Sequence, residues 1–469
     1  MTSLNSTPTS ERVQIGIFGK VNAGKSSVLN AMTGQDMAVV SEQEGTTTDP
    51  VKKAMELLPI GPVMLYDTPG LADGSRLGEK RQQKTEEILR RIDVGLVVVD
   101  AALLCGDRVE NGRWLTQGAT KEGSQKQEPD KDISDSFLLE RELIKKFRQR
   151  NLPYLVIANK IDRVAALESG RLAKLLNIQK EEVFPFSCKK AWQEENGNAV
   201  QDLRQRISQI GGKSADAPER HLVSDLIEKG DVVLLVIPID ESAPKGRLIL
   251  PQQQVIRDIL DAGAIAMSVQ PSELPQALDR LQKAPKLVVT DSQAFGQVSK
   301  LLPREIPLTS FSILMARYKG DLEWQAAGAK TIDCLDAGAR ILISEGCTHH
   351  RQCGDIGTVK LPGWIQKYTG KEFDYHFTSG GEFPGHTKAD EKSPDDSAKS
   401  KAAEQENGIK LSDYALVIHC GGCTLPPQEM TWRLSQAKAA GVPMTNYGTM
   451  IAYLHGILER AMEPLGATE

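Results

Sequence analysis

The chain has no apolar run approaching the 18 or more residues that a membrane span requires. Its first residues, MTSLNSTPTSERVQ, also lack the apolar core of a secretion signal. A cytoplasmic location without membrane association is therefore expected. Charge of one sign is scarce as well: 57 Lys and Arg against 62 Asp and Glu leave a formal net charge of −5. That balance exerts no general pull toward nucleic acid or anionic lipid, and no nucleic-acid partner is expected. Cysteine is sparse and odd in number, 7 in 469 residues. A disulfide framework is thus not the expectation; in a reducing compartment such cysteines read as a metal site or reactive thiols.

What the chain does have is a repeated strand and helix rhythm, at a length too great for one core, which implies about three domains. VQIGIFG at 13–19 reads as a strand entering a glycine loop, followed by KSSVLNAMTG as a helix. VMLYDTPG, VGLVVVDA, PYLVIANKID and VFPFSCKK read as further buried strands, with RQQKTEEILRRI and SFLLERELIKKFRQR as helices between them. The alternation predicts a doubly wound parallel sheet over 1–212, with 105–135 as an exposed polar insertion. GGKSADAP reads as a linker. In 213–325, DVVLLVIPI, AIAMSV and KLVVTD read as strands and QQQVIRDILDAG, SELPQALDRLQ and FGQVSKLLP as helices. That part carries no catalytic constellation and suits docking or self-association. In 326–469, ARILISEG, EFDYHFTSG, YALVIHCGG and VPMTNYG read as strands, and WIQKYTG, EMTWRLSQAKAAG and MIAYLHGILERAM as helices. The polar stretch 386–409 is expected to be a mobile loop. The expected fold class is α/β: three domains, each on a mainly parallel sheet with flanking helices.

Gly19-Lys20-Val21-Asn22-Ala23-Gly24-Lys25-Ser26 matches G-x-x-x-x-G-K-S between a strand and a helix. Glycines let backbone N–H groups wrap phosphates at a helix N-terminus. Lys25 is expected to pair with the β- and γ-phosphates and the Ser26 hydroxyl to bind Mg²⁺. Gly19, Asn22, Ala23, Gly24 and Ser27 complete the cradle. Asp67-Thr68-Pro69-Gly70 supplies a carboxylate for the metal's surroundings and the Gly70 N–H near the γ-phosphate. Asn159-Lys160-Ile161-Asp162 reads guanine, because the Asp162 carboxylate accepts from the paired donors that adenine lacks. Ser187-Cys188-Lys189 closes over the base. These motifs make the N-terminal domain an expected P-loop GTPase, with GTP or GDP and Mg²⁺ as the cofactor set.

Over about 200 residues these motifs resemble the tRNA-modification and ribosome-assembly GTPases of the TrmE/Era group. Gly45-Thr46-Thr47-Thr48-Asp49 looks like that group's switch I, with Thr46 and Thr47 at the nucleotide and Thr47 as the Mg²⁺-binding threonine. Leu71 follows DTPG where Ras-like enzymes carry a water-orienting Gln, so slow intrinsic hydrolysis is expected. Asn22 matches the asparagine that coordinates K⁺ in potassium-activated members, where the cation can stabilise transition-state charge as an arginine finger does.

Residues 347–353 read Cys347-Thr348-His349-His350-Arg351-Gln352-Cys353, and His419-Cys420-Gly421-Gly422-Cys423 follows much later. C-x-x-C lets two sulfurs of one turn reach a single ion or cluster corner. Cys347 and Cys420 each follow a strand, and in an open parallel sheet strand ends gather on one edge. Three thiolates with an optional imidazole suit a 4Fe-4S cluster, and tetrahedral zinc would satisfy the same residues. Cys105, Cys188 and Cys334 read as small apolar residues. Cys353 reads as a non-ligand and His350 and His376 as surface or hydrogen-bonding histidines, and no role is assigned to His386.

A GTPase head followed by Cys347-Thr348-His349 and His419-Cys420-Gly421-Gly422-Cys423 resembles the iron-iron hydrogenase maturation GTPases, the HydF family, across essentially the whole chain. The resemblance implies GTPase, dimerisation and cluster-binding domains, and a 4Fe-4S cluster on Cys347, Cys420 and Cys423. The fourth ligand would be exchangeable, with His349 and His419 as candidates. It also implies a scaffold that receives a di-iron precursor from two radical-SAM maturases and passes it to the apo-hydrogenase, working as a homodimer or higher oligomer. The His349–His419 separation exceeds the family expectation, and the 386–409 loop accounts for the excess at little thermodynamic cost. The alternative is a tRNA-modification or ribosome-assembly GTPase with a structural zinc or iron–sulfur site.

Overall fold

Aliphatic runs without alternation, such as VGLVVVD and YLVIAN, are the mark of parallel strands covered on both faces. In the computed structural model they form the centre of a six-stranded sheet. The structure describes residues 7–34, 51–70, 84–105, 108–110, 113–115, 136–164, 167, 169–193, 197–213, 220–239, 248–346, 355–380, 382–384 and 410–466. They fall into two compact units, 1–219 and 220–469.

In the first unit β1 (Val13–Phe18), β2 (Val51–Leu57), β3 (Gly61–Asp67), β4 (Val94–Asp100), a short β5–β6 hairpin (Arg108–Glu110, Arg113–Leu115), β7 (Tyr154–Asn159) and β8 (Val183–Pro185) follow in chain order. The sheet runs β2-β3-β1-β4-β7-β8. Every pairing is parallel except β2 with β3. Two apolar cores, one around Phe18 and Phe147 and one around Ile15, Leu29 and Ile157, pack the two faces.

The second unit holds two sheets. One is built from β9 (Val232–Val236), β10 (Ile265–Val269), β11 (Leu287–Thr290) and β12 (Leu308–Ser310) in the order β10-β9-β11-β12. The other uses β13 (Arg340–Glu345), β14 (Asp374–Ser379), β15 (Leu416–His419) and β16 (Met444–Asn446) in the order β14-β13-β15-β16. All pairings are parallel, and the two sheets repeat one another in detail. Val233 pairs with Leu287 as Ile341 pairs with Leu416. The Val288 N–H donates to the Pro307 carbonyl as Val417 donates to Pro443, both at 2.9 Å. Ile306-Pro307-Leu308-Thr309-Ser310 and Val442-Pro443-Met444-Thr445-Asn446 occupy equivalent places.

A pseudo-two-fold axis relates the repeats. Ser312 and Gly448 are equivalent and meet across it: a Cβ on Gly448 would stand 2.6 Å from the Ser312 Cβ. The helix Leu322–Lys330 packs on β16 of the second repeat, and its counterpart Leu458–Met462 packs on β12 of the first. The first of these contacts is so close that a Cβ at Gly328 would lie 2.4 Å from the Met444 carbonyl oxygen, so a glycine is needed there. The boundary expected at 325–326 lies inside this helix. Further differences from the sequence reading are local. β2, β12 and the helices Phe311–Lys319 and Leu322–Lys330 were not anticipated. The stretch MIAYLHGILERAM divides at Gly456 (φ 70°) into two helices. The expected mobile loop at 386–409 and most of the expected insertion at 105–135 lie outside the described residues. Among the described residues no helix is long and apolar enough to cross a membrane.

Candidate functional site

β1 ends in the loop 19–24, which turns into the helix Lys25–Thr33. Two glycines allow close approaches that a side chain would block. At Gly19 (φ 149°) a Cβ would lie 2.2 Å from the Val98 carbonyl oxygen, and at Gly24 (φ 97°) one would lie 2.2 Å from Asn159 Nδ2. The end of β7 is bolted onto the same loop. Asn159 Nδ2 donates to the Ala23 carbonyl at 3.0 Å. Lys160 Nζ donates to the Asn22 carbonyl at 2.6 Å and pairs with Asp100 at 2.6 Å. Asn22 is exposed and left-handed (φ 64°), a conformation asparagine tolerates better than most residues. Lys25 is buried, with Nζ donating to the Lys20 carbonyl at 2.9 Å, and Ser27 is half-buried one residue beyond Ser26.

Ser26 Oγ donates to Asp67 Oδ2 at 2.5 Å. The other Asp67 oxygen, Oδ1, is buried without a hydrogen-bond partner, and burial raises the carboxyl above the usual carboxylate range. An orphaned acidic oxygen beside a serine hydroxyl fits Mg²⁺ and its water shell. Gly70 lies against the P-loop, where a Cβ would stand 2.6 Å from Val21 Cγ2. At the end of β8, Ser187 Oγ donates to Asp162 Oδ1 at 2.5 Å, and that bond holds the carboxyl below its usual range. The Cys188 N–H donates to Asn159 Oδ1 at 3.4 Å, while burial pushes the Cys188 thiol up to about 12, so it remains protonated. Lys189 follows on the helix Cys188–Gln193. Thr46, Thr47 and Leu71 lie outside the described residues.

One residue near the P-loop was missed. Glu140 is only 2% exposed, sits 3.7 Å from Lys20 Nζ, and has a carboxyl raised by burial. Its signal was available, because Glu140 falls in phase with Leu143, Ile144 and Phe147 on the apolar stripe of the helix Leu138–Gln149.

The cysteine pair lies elsewhere, at the switch point of the second repeat, where strand order reverses between β13 and β15. Ligands of open parallel sheets bind at such crevices. The Cys420 N–H donates to the Ser344 carbonyl at 2.9 Å. Cys420 Sγ accepts from the Gly346 N–H at 3.1 Å and from the Gly422 N–H at 3.4 Å. Gly346 immediately precedes Cys347, and Cys347, His349, His350, Cys353 and His386 lie outside the described residues. Among the described residues no three His, Cys, Asp or Glu side chains converge on one metal position. Cys423 is half-buried against the core that includes Phe311, Leu314 and Met315, and burial pushes its thiol up to about 11. The loop is secured by Thr424 Oγ1, which donates to the Gly346 carbonyl at 3.1 Å, and by Lys319 Nζ, which donates to the carbonyls of Gly422 and Cys423 at 3.0 Å and of Leu425 at 2.8 Å. Two adjoining thiols, one receiving two backbone N–H groups, fit a soft metal or iron–sulfur group.

His419, a candidate fourth ligand, has both ring nitrogens engaged. Nε2 meets Arg433 Nη1 at 3.0 Å and Nδ1 meets the Cys420 carbonyl at 2.7 Å. A guanidinium can only donate, so Nε2 is the acceptor and Nδ1 carries the proton. In this arrangement neither nitrogen is available to a metal, and His419 steadies the loop. His376 Nδ1 faces the Tyr414 hydroxyl at 3.1 Å. Arg433, which the sequence reading did not single out, is 0% exposed. Its Nε and Nη2 each lie 3.2 Å from Glu429 Oε1, and Nη2 donates to the Gly380 carbonyl at 2.7 Å. Replacing Arg433 with Leu strands the buried Glu429 carboxylate and should destabilise the second unit by about 3–5 kcal/mol. Denaturant unfolding checks this, and the Arg433→Leu/Glu429→Leu double variant should recover most of the loss.

Comparison with known proteins assigns the parts. Residues 14–160 match the 50S ribosome-binding GTPase family model. Residues 222–320 match the hydrogen maturase F dimerization domain, and 323–464 match its tetramerization domain. Among curated relatives, GTPase Der of Wolinella succinogenes is 40% identical over 98 residues, 20% of this chain and 21% of the relative. The tRNA modification GTPase MnmE of Endomicrobium trichonymphae is 30% identical over 220 residues, 45% of this chain and 39% of the relative. The chain thus spans between about a fifth and two fifths of the length of these relatives. Among solved structures, a GTP-binding protein of Sulfolobus solfataricus in complex with GDP is 21% identical, with a TM-score of 0.29 over 43% of this chain and 53% of that one. The G domain of the T. maritima FeoB iron transporter is 17% identical, with a TM-score of 0.26 over 43% of this chain and 99% of that one. The GTPase match makes the N-terminal unit a P-loop domain of the kind that takes GTP or GDP with Mg²⁺. The dimerization and tetramerization matches imply self-association. With both of its family-specific models matched in order over more than half of its length, the chain belongs to the hydrogen maturase F family and carries a P-loop GTPase domain at its N-terminus.

Proposed function

We propose that the chain is a GTP-hydrolysing scaffold that holds a 4Fe-4S cluster and carries the di-iron precursor of iron-iron hydrogenase, working as three functional parts over 1–212, 213–325 and 326–469. One observation carries this reading: the Gly346 N–H lies 3.1 Å from Cys420 Sγ, so the chain leaves β13 toward Cys347 beside the C-x-x-C loop. Cys347, Cys420 and Cys423 would hold the cluster, which supplies an iron corner with an exchangeable position. His349 is the remaining histidine candidate for that position, given the two bonds that occupy His419.

At the nucleotide, Lys25 neutralises the β- and γ-phosphates while the loop N–H groups hold their oxygens. Ser26 and Thr47 would bind Mg²⁺, with Asp67 holding its water, and the Gly70 N–H would meet the γ-phosphate. Asn22 would bind K⁺ beside the phosphates, which offsets charge that Leu71 cannot manage and makes hydrolysis slow and potassium-stimulated. Asp162, held ionised by Ser187, reads guanine. Switch-loop state would then bias docking of the radical-SAM maturases and the apo-hydrogenase.

Anaerobic reconstitution of the full chain with iron and sulfide tests the cluster. A reduced 4Fe-4S EPR signal is expected; a zinc site would be silent. Loaded protein incubated with apo-hydrogenase should then evolve H₂, and no H₂ above the unloaded control would sink the delivery role.

A further inference from the structure

We propose that Lys319 is a positioning residue for the cysteine loop, holding it through three carbonyls and fixing a positive charge beside the cluster; this rests on the cluster reading above. Lys319 is the last residue of the helix Phe311–Lys319, which belongs to the first repeat and to the region matching the dimerization domain. Lysines in a last turn ordinarily lie near their own helix's free carbonyls or in water. This one is 2% exposed and crosses to the second repeat. An ammonium has three N–H donors, and the three carbonyls of Gly422, Cys423 and Leu425, at 3.0, 3.0 and 2.8 Å, match them. Those carbonyls define the turn that presents Cys423, so one side chain fixes where that sulfur stands.

The repeat supplies an internal control. His455 is the equivalent of Lys319, since each precedes a glycine at the end of the equivalent helix. It makes the reciprocal contact in the first repeat, with its ring 3.5 Å from where a Cβ on Gly296 would stand. Gly296 is the counterpart of Leu425. The packing arrangement is therefore met without a lysine where no cysteine loop is present, and the ammonium appears only where the loop does. A 4Fe-4S group on three thiolates is anionic and becomes more so on reduction. A fixed ammonium next to it favours the reduced form and raises its potential.

The test compares the unsubstituted full chain with Lys319→Met and Lys319→Arg, all reconstituted anaerobically. Iron content, dimerisation and a redox titration followed by EPR are measured. Lys319→Met should lower the midpoint, so that at the unsubstituted midpoint the oxidised form exceeds the reduced at least tenfold, which is 59 mV for one electron. If it instead folds and dimerises but fails to retain iron, the loop-holding role is borne out. Lys319→Arg should keep both iron and midpoint. Equal midpoints for Met and unsubstituted protein at equal iron content would overturn the proposal, as would an Arg variant shifted as far as Met. An unsubstituted chain with no EPR signal would overturn the cluster reading itself, a different failure.

Discussion

Cys420→Ser should leave the reconstituted chain with almost no bound iron, while GTP hydrolysis by the same preparation continues at the unsubstituted rate. Cys420 Sγ is the acceptor of the Gly346 and Gly422 N–H groups, a pair that favours the thiolate over the thiol. A serine hydroxyl could accept the same bonds, so the fold of the loop should survive. It would not ionise near neutral pH, and a neutral hydroxyl is a poor ligand for iron in a cluster. The nucleotide residues belong to the unit 1–219, with its own cores, so the substitution should not reach them. Iron analysis and nucleotide turnover on one sample check both halves. Full iron content in Cys420→Ser would remove Cys420 from the ligand set.

Asp162→Ala should lower GDP affinity by about two to four orders of magnitude and leave weak ADP binding unchanged. In the proposed reading guanine would present two donors to this carboxylate, and hydrogen bonds to a charged group contribute about 1.5–3 kcal/mol each. Their combined loss of about 3–6 kcal/mol converts at 1.4 kcal/mol per tenfold to that range. Ser187→Ala should have a smaller effect of the same sign, because Ser187 Oγ only orients and ionises the carboxylate. The depressed Asp162 carboxyl also sets a pH profile. GDP affinity should stay flat through neutral pH and fall only once acid reaches below the ordinary carboxylate range. Titration of fluorescent GDP and ADP analogues measures each quantity, and equal losses for both nucleotides would contradict base reading by Asp162.

The parts of the site written in consecutive residues were legible. A P-loop, a D-T-P-G and an N-K-I-D each sit at one strand end, and local spacing suffices to find them. The adjacency of Cys420 to the end of β13 was legible too, because strand ends in a parallel sheet share an edge. The partners of the two His419 ring nitrogens were not legible, because neighbours on a strand point to opposite faces and Arg433 reaches the ring from a separate helix. Lys319, Glu140 and Arg433 act through contacts more than a hundred residues distant or through buried charge, which spacing does not encode. The helices 311–319 and 322–330 escaped notice because they are apolar or small on several sides, as in FSILMARYK and LEWQAAGAK, so no amphipathic stripe marks them. β2 escaped because VKKAMEL lies at the sheet edge with residues 52–56 exposed or half-buried, unlike the unbroken aliphatic runs of the centre.

The exchanged helices set a limit on how this chain can be divided. A cut between the helix Leu322–Lys330 and β13 would not release two finished halves: each piece would carry the cover of the other's sheet and leave its own β12 or β16 bare. A fragment beginning at β13 would keep both cysteines of the C-x-x-C loop and lose the lysine that holds them. The part that carries the C-x-x-C loop is thus a tenant of the preceding hundred residues, and any minimal version of it must start no later than the strand at 232.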